Sequence, residues 1–219
     1  MRDIFMSLMI STLVSACGGA TTPNLAGLET RINSARAQAD RINALSGTAF
    51  RAMPTHGAAT FVGSAGLVID PVEATDRDDI VVVGDARLTA DFQNGAMTGR
   101  ITNMVAATDI TAAGAVVSTV NGAIEIGANT SVIGDDFDDN LTNRANQWYA
   151  DYGGTITVQG VNYAVEGNID GEFKGTRTKP AAGLSAVKAV VGVDSDGFAV
   201  VNGRREEVAV TLEIGGENK

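Results

Sequence analysis

Residues 161–174 read VNYAVEGNIDGEFK, and this stretch decides the fold. From Val161 to Phe173, every second position is apolar or glycine, and the positions between them are polar or charged except Ala164. Successive side chains of a β-strand point to opposite faces, so a period of two predicts a long strand with one buried face and one solvated face.

The same period of two recurs on both sides of this strand. Residues 80–92 alternate in the same way, and the turn Gln93-Asn94-Gly95 predicts a hairpin with the strand that follows. That following strand carries its predicted apolar face on Met97, Gly99, Ile101 and Val105. A second hairpin is predicted over residues 187–201, with its turn at 195–197. Further strands are predicted at residues 60–69, 116–126, 155–158 and 208–214.

Sequential hairpins that share one apolar face must bury that face and cover their edges. An antiparallel up-and-down β-barrel does both, so we predict a mainly β fold with a barrel of about eight strands over residues 55–215, preceded by an N-terminal helix. A β-sandwich is the competing architecture. Glycines at inward positions suit tight curvature, namely Gly84, Gly99, Gly167 and Gly171. The predicted interior contains Leu88, Phe92, Ile169, Phe173, Val210 and Leu212.

Before the strands, the period of the apolar residues changes to that of a helix. They recur at spacings of three and four, at Leu28, Ile32, Ala35, Ala39, Ile42 and Leu45. This pattern predicts an amphipathic helix over residues 23–47, with Thr22 as its cap, Pro23 at its first position and Gly47 at its end. We favour a helix that packs its apolar stripe onto the following domain. The alternative is a stalk or a docking helix for a partner.

The N-terminus resembles the leader of a bacterial lipoprotein. Residues 4–14 are an apolar run of about eleven residues, which suits a signal peptide and is far short of the ~20 that span a bilayer. Small residues at 15 and 16 then precede Cys17, the only cysteine. This resemblance to a lipobox predicts a signal peptide at residues 1–16, a lipidated Cys17 and a short tether up to residue 22. Because Gly18 rather than Asp follows the cysteine, the resemblance also implies that the lipoprotein is located at the outer membrane. Both the surface and the periplasmic face of that membrane stay open as its location.

The charge of the chain limits its partners. It carries 26 acidic and 16 basic residues, for a net charge of −10. Such a chain repels nucleic acid and anionic lipid surfaces, so we expect neither as a partner and expect membrane contact only through the N-terminal lipid. Hydrophobic residues make up 44% of the chain, which is enough for a sizeable core and too much for a disordered protein.

Several phrases resemble a known family. They are AATFVGSA at residues 58–65, LTADF at 88–92, GRITN at 99–103 and GEFKG at 171–175. Together they resemble the β-barrel domain of transferrin-binding-protein-like surface lipoproteins, a group that includes the factor H binding proteins. The resemblance covers residues 55–214. It implies a ligand-binding barrel on the cell envelope, and it implies no particular ligand.

The sequence holds little of the chemistry that catalysis needs. Its only histidine is His56, and its only cysteine is assigned to lipid, which leaves no usual base–nucleophile pair and no common zinc site. The acidic run at residues 135–140 begins like a calcium loop, but Leu141 and Gln147 stand where glycine and glutamate are required. We therefore expect a non-enzymatic protein without metal or cofactor, and interpret the run as a solvated loop with Asp139 capping a helix.

Residues 134–153 interrupt the strand pattern for longer than a hairpin turn requires. Their second half, residues 141–152, has helical spacing and contains the only tryptophan and two of the three tyrosines. Such aromatic residues often dominate binding energy, so Trp148, Tyr149 and Tyr152 are candidate ligand-binding residues. The alternative, slightly favoured, is that this helix caps one barrel end and its aromatic side chains fill the opening.

Two functions follow from this sequence. The first is a lipid-anchored envelope protein that captures a protein or small-solute ligand through the barrel loops. The second is a structural envelope lipoprotein that supports a larger assembly. A ligand-lined barrel mouth or a long aromatic loop would favour the first, and an interior filled by apolar side chains with featureless loops would favour the second.

Overall fold

The computed structural model describes residues 23–70, 79–111, 114–134, 146–175, 186–190, 198–202 and 204–218. Within these ranges the chain is mainly β-structure with one N-terminal α-helix, as predicted. The elements are α1 (Leu25–Asn43), a single 3-10 turn (Phe50–Ala52), β1 (Ala58–Asp70), β2 (Ile80–Asp91), β3 (Ala96–Thr111), β4 (Gly114–Gly122), β5 (Ile124–Ile133), β6 (Gln147–Val158), β7 (Val161–Lys174), β8 (Ala186–Val190), β9 (Phe198–Val201) and β10 (Arg204–Asn218).

All the strands belong to one antiparallel sheet. Strands β4 and β5 lie end to end and together occupy one place in the strand order, between β3 and β6, because each of them pairs with both neighbours. Strands β8 and β9 likewise share one position between β7 and β10. The described strands therefore occupy eight positions, in agreement with the predicted number. The predicted hairpin between residues 80–92 and the next strand is confirmed as the β2–β3 pair.

The alternation of apolar residues gives the correct strand phase for β2, β7 and β10. The six residues predicted to share an interior all belong to one buried cluster: Leu88, Phe92, Ile169, Phe173, Val210 and Leu212. Phe173 lies near its centre, with its ring 6.0 Å from that of Phe61 and 5.6 Å from that of Phe92. Aromatic pairs at this distance add to the stabilisation that burial gives. A large apolar cluster therefore lies on one face of the sheet.

The phase prediction was wrong for the second half of β3. Val83 pairs with Val105 and Asp85 pairs with Thr102, so two residues of β3 oppose the single Gly84 of β2. This β-bulge shifts the alternation by one residue, and Val105 faces the helix instead of lying inward with Ile101.

The predicted hairpin over residues 187–201 was also wrong. Strand β8 pairs with β7 and β10, and β9 pairs with the same two strands further along. The two segments run in the same direction because both are antiparallel to the same neighbours. They form one interrupted strand, and residues 191–197 between them lie outside the described part.

The helix begins and ends within its predicted range. Its N-cap is Asn24, whose side-chain oxygen accepts a hydrogen bond from the Gly27 backbone N–H at 2.8 Å. Leu25 is therefore the first helical residue. The prediction had placed the cap at Thr22 and the first helical position at Pro23, two residues earlier; Thr22 itself lies outside the described residues. The helix ends at Asn43 with Ala44 as C-cap, before the predicted end at Gly47. No helix in the described ranges is both long and apolar enough to cross a bilayer.

Helix α1 packs on the face of the sheet opposite the large cluster. Leu28 and Ile32 form a second, smaller apolar cluster with Val83 and Ala107, which lie on β2 and β3. The helix also contacts β1, β4, β8 and β10. The favoured prediction, that the apolar stripe of the helix packs onto the following domain, is therefore confirmed.

Polar contacts fix the position of α1 on the sheet. The buried side chain of Gln38 donates to the Val62 carbonyl at 3.5 Å and accepts from the Ser64 N–H at 3.1 Å, so one amide binds two backbone groups of β1. Arg41 binds both carboxylate oxygens of Glu217 at 3.1 and 3.2 Å. The hydrogen bond from Arg41 is the main cause of a lowered pKa at Glu217.

Candidate functional site

The predicted aromatic site lies on a strand. Residues 147–152 are the first half of β6, so the helix predicted over residues 141–152 is wrong for this part. Residues 135–145, with the acidic run and the Asp139 cap, lie outside the described ranges. Alternating side chains of β6 point to opposite faces, which separates Trp148 and Tyr152 from Tyr149.

Trp148 and Tyr152 lie on the inner face of β6 and are each 2% exposed. Both belong to the large apolar cluster. Each stands directly opposite a glycine of β7: Trp148 opposite Gly171, and Tyr152 opposite Gly167. The rings occupy the space that a side chain at the glycine would need. The two aromatic residues thus fill the interior of the sheet and expose almost no area to a partner at the surface.

Both residues bring a polar atom into this interior. Among the described residues, the indole Nε1 of Trp148 and the hydroxyl of Tyr152 are buried without a hydrogen-bond partner. Burial of a polar group without a partner is costly, and such groups are uncommon in native proteins. Burial also raises the pKa of Tyr152 to about 12, because the charged phenolate is disfavoured away from water.

Tyr149 lies on the opposite, outer face of β6 and is partly exposed. Its cross-strand neighbour is Asp170. Burial raises the pKa of Tyr149, and the carboxylates of Asp170 and Asp151 raise it further. Of the three predicted aromatic site residues, Tyr149 alone has area available for a partner, and its role in binding stays a prediction.

The neighbouring carboxylate of Asp151 has a structural role. It accepts hydrogen bonds from the Thr130 N–H at 2.9 Å and from the Asn129 amide side chain at 2.7 Å. Burial alone would raise the pKa of Asp151, but these hydrogen bonds outweigh it and the pKa is lowered. The contacts hold β5 at its irregular pairing with β6, between Ile126 and Ser131.

A half-open groove of about 500 Å³ lies between the N-terminal part of α1 and strands β3 and β4. Its volume falls in the range of small-ligand sites. The lining residues are Pro23, Arg31, Thr102, Asn103, Met104, Val105, Thr119, Val120, Asn121 and Gly122. We take this groove as the candidate binding site because it is concave, is lined by both polar and apolar residues, and is open to solvent.

One carboxylate beside this groove joins α1, β2 and β3. Asp85 of β2 accepts from Arg31 of α1 at 2.8 Å through one oxygen and from the Asn103 side chain of β3 at 3.0 Å through the other. Asn103 sits in the β-bulge with a φ of +50°, a conformation that few residues other than glycine adopt. Bulges often re-aim side chains beside functional sites, and this one directs Asn103 to the groove.

Several groove side chains remain available to a ligand. Among the described residues, Thr102, Thr119 and Asn121 make no side-chain hydrogen bond, and Arg31 uses only one of its guanidinium nitrogens for Asp85. Hydroxyl and amide groups both donate and accept hydrogen bonds, and the Arg31–Asp85 pair is neutral overall. The groove therefore suits a small, polar and nearly neutral ligand.

The sequence did not identify this groove, because its lining comes from three separate segments. One signal was present: the apolar residues of β3 change phase between Ile101 and Met104, and such a change is typical of a bulge. Cys17 lies outside the described residues. His56 is exposed, and its Nδ1 lies 3.3 Å from the Thr55 hydroxyl. No group of three or more metal-ligating side chains was found within the described ranges.

Comparison of the chain with known protein families, with characterised proteins and with solved structures found no match.

Proposed function

We propose that this chain is a lipid-anchored, non-catalytic binding protein of the bacterial envelope, and that it holds a small polar solute or a polar group of a larger partner in the groove beside α1. The observation that carries this proposal is the set of unengaged polar side chains around the groove, on strands of a well-packed sheet. Strand pairing holds the backbone of these residues in place, so binding has to order only their side chains. The resemblance to transferrin-binding-protein-like lipoproteins points to the same class of function.

We further propose that the sheet is closed into a β-barrel, which supplies the rigid scaffold. The pairing of β1 with both β2 and β10 supports closure, as does the pairing of β6 with both β5 and β7. A closed sheet has no long free edge, so the amides of β1 and β10 should exchange with solvent as slowly as those of β2. Fast exchange along β1 or β10 in native-state hydrogen-exchange measurements would favour an open sheet.

Membrane attachment is proposed to occur through Cys17 at the outer membrane. The mature protein should begin at Cys17 and carry the mass of added acyl chains, while Cys17→Ser should leave a soluble chain or an uncleaved precursor. Intact-mass spectrometry of the membrane fraction measures both properties. A mature N-terminus at any other residue would exclude this anchor, whereas the groove and its ligand could still be tested on the soluble chain.

Ligand binding can be tested by nuclear magnetic resonance with a set of small neutral compounds that carry hydroxyl and amide groups. We expect the largest chemical-shift changes at residues 102–105 and 119–122. Asn121→Ala should weaken binding, because it removes an exposed amide of the groove. Asn168→Ala is the matched control, since Asn168 is exposed on β7 away from the groove lining. Shift changes elsewhere, or equal effects of the two variants, would contradict the proposal.

The second candidate is a structural envelope lipoprotein, and the filled interior favours it. The inner face of the sheet is occupied by large apolar side chains, including Phe61, Phe173 and Trp148, at the positions where a ligand-binding barrel would hold its ligand. For this reason the binding function is assigned to the groove outside the sheet and not to the interior. If no compound binds the groove, the structural function becomes the better proposal.

A further inference from the structure

Strand β4 extends beyond the end of its neighbour β6. It pairs with β3 from Gly114 to Thr119, but with β6 only from Val120 to Gly122, because β6 ends at Val158. Among the described residues, the segment Gly114–Thr119 therefore has a hydrogen-bonded strand on one side only. We call this segment the β4 edge.

The β4 edge is held in place by the helix. Alternate residues of the edge, Ala115 and Val117, pack against the small apolar cluster that contains Leu28 and Ile32 of α1. The strand is therefore ordered before any partner arrives, and a pairing strand would not have to order it. The other face of the edge carries Val116, which is 49% exposed and is the one large hydrophobic side chain so exposed among those described.

The β4 edge has none of the sequence features that usually protect an edge from pairing, although the side chain of Gln159, just after β6, reaches past β4 and donates to the Thr108 hydroxyl of β3 at 2.7 Å. Proteins commonly cover free edges with lysine, proline or an inward charge. Residues 114–119 read GAVVST, with no charged residue, no proline and two adjacent valines. An uncharged, β-branched edge favours the addition of another strand.

We propose that the β4 edge pairs with the β4 edge of a second copy of this chain, antiparallel and about a two-fold axis. Two identical edges are complementary to one another in this arrangement, as in other two-fold interfaces. The pairing supplies backbone partners to the free side of the strand and brings the two Val116 side chains together.

The charge of the protein favours this location for a contact between copies. The chain has a net charge of −10, so two copies repel one another overall, yet residues 114–122 contain no charge. The nearest acidic residue along the hairpin is Asp109 on β3. Two such residues would be separated by three strand spacings, about 14 Å, which exceeds the screening length of about 8 Å at physiological salt.

The proposed contact is small. An edge of six residues buries less than the ~800 Å² per partner that is typical of stable complexes, so we expect a weak dimer whose population rises with concentration. Attachment of the copies to one membrane would raise their local concentration in the same way as a tether does.

Cysteine cross-linking of the full chain in cells tests this contact. Val116→Cys, oxidised with diamide, should give a disulfide-linked species at twice the mass of the mature, lipidated chain. Thr155→Cys is the matched control, because Thr155 is exposed on β6 where that strand pairs along its length with β7. The parent chain with Cys17 alone sets the background. Equal cross-linking of the two variants, or a Val116→Cys adduct to a different protein, would overturn the proposal of a second copy.

Sedimentation of the Cys17→Ser chain gives a second measurement. The average mass should rise with concentration, and Val116→Lys, which opposes two like charges across the axis, should lower the association constant at least about tenfold. Val116 is exposed, so the thermal unfolding of this variant should be unchanged and shows that the chain is folded. A monomer at every concentration, combined with no specific cross-link, would exclude the dimer.

Discussion

The indole ring of Trp148 lies over Gly171, its direct cross-strand neighbour, so closely that a Cβ atom on the glycine would collide with the ring. Tyr152 and Gly167 repeat this relationship four residues along β6. A large aromatic residue opposite a glycine covers backbone that the glycine leaves bare and fills the space where its side chain is missing. Two of the four inward glycines that the sequence analysis assigned to curvature, Gly167 and Gly171, therefore also accommodate aromatic rings.

Gly171→Ala should destabilise the protein by about 1–3 kcal/mol, as other cases of overpacking do. The added methyl group must displace the Trp148 ring, which is buried and cannot move into solvent. Gly153→Ala is the control, because a Cβ atom there meets its nearest neighbour, the Val165 carbonyl oxygen, at an ordinary 3.5 Å. The free energy of unfolding in urea measures both. A Gly171→Ala protein as stable as Gly153→Ala would show that the ring does not occupy this position.

Phe173→Ala should cost about 3–5 kcal/mol, because it removes a fully buried ring from the large apolar cluster. Its contacts with Phe61 and Phe92 are lost at the same time. Glu166→Ala, at an exposed position of the same strand, should change stability by no more than about 0.5 kcal/mol. Thermal or urea unfolding of the two variants checks the phase of β7, and similar losses would contradict the assignment of its inner face.

The sequence predicted strand phase well where burial alone determines it. On β7, the alternation between Val161 and Phe173 depends only on the pleat of the strand, and the inner residues follow it. It failed at Asn103, because a bulge depends on the pairing partner opposite it. The sequence-based prediction also failed at Trp148. Trp148 and Tyr152 have the spacing of a helix face, but Trp148, Ala150 and Tyr152 also alternate as in a strand, and pairing with β7 favours the strand.

The groove could not have been predicted from a local pattern. Arg31 and Asp85 are separated by 54 positions in the chain and meet only because α1 crosses the outer face of the sheet. A weaker signal was present in Val83, Val105 and Ala107, which are apolar at outward positions. Apolar residues on both faces of a strand indicate that both faces are covered, and here the second cover is α1.

Gln38→Ala should lower stability by about 1–2 kcal/mol, because two hydrogen bonds from its buried amide to the Val62 carbonyl and the Ser64 N–H are lost. Asn33→Ala, at an exposed position of the same helix, is the control and should be nearly neutral or slightly stabilising through helix propensity. Chemical denaturation gives both values. If Gln38→Ala matched Asn33→Ala, the amide bridge between α1 and β1 would contribute nothing to the fold.

Tyr152 should make the protein sensitive to alkali. Its pKa is raised by burial to about 12, whereas a tyrosine in the unfolded chain ionises near pH 10. Below pH 10 the Tyr152 phenol is neutral in both the folded and the unfolded chain, so its ionisation does not affect the free energy of unfolding. As the pH rises from 10 towards 12, the phenol ionises in the unfolded chain first, and the free energy of unfolding falls. The loss should reach about 2–3 kcal/mol by pH 12, and urea unfolding at pH 8, 10 and 11 follows its onset.

Tyr152→Phe should remove this part of the loss while being neutral or stabilising at pH 8, because it deletes a buried hydroxyl that has no partner among the described residues. Tyr149, whose pKa is also raised, is present in both proteins, so their difference isolates Tyr152. An equal loss of stability in the two proteins above pH 10 would show that the Tyr152 hydroxyl is not held neutral in the interior.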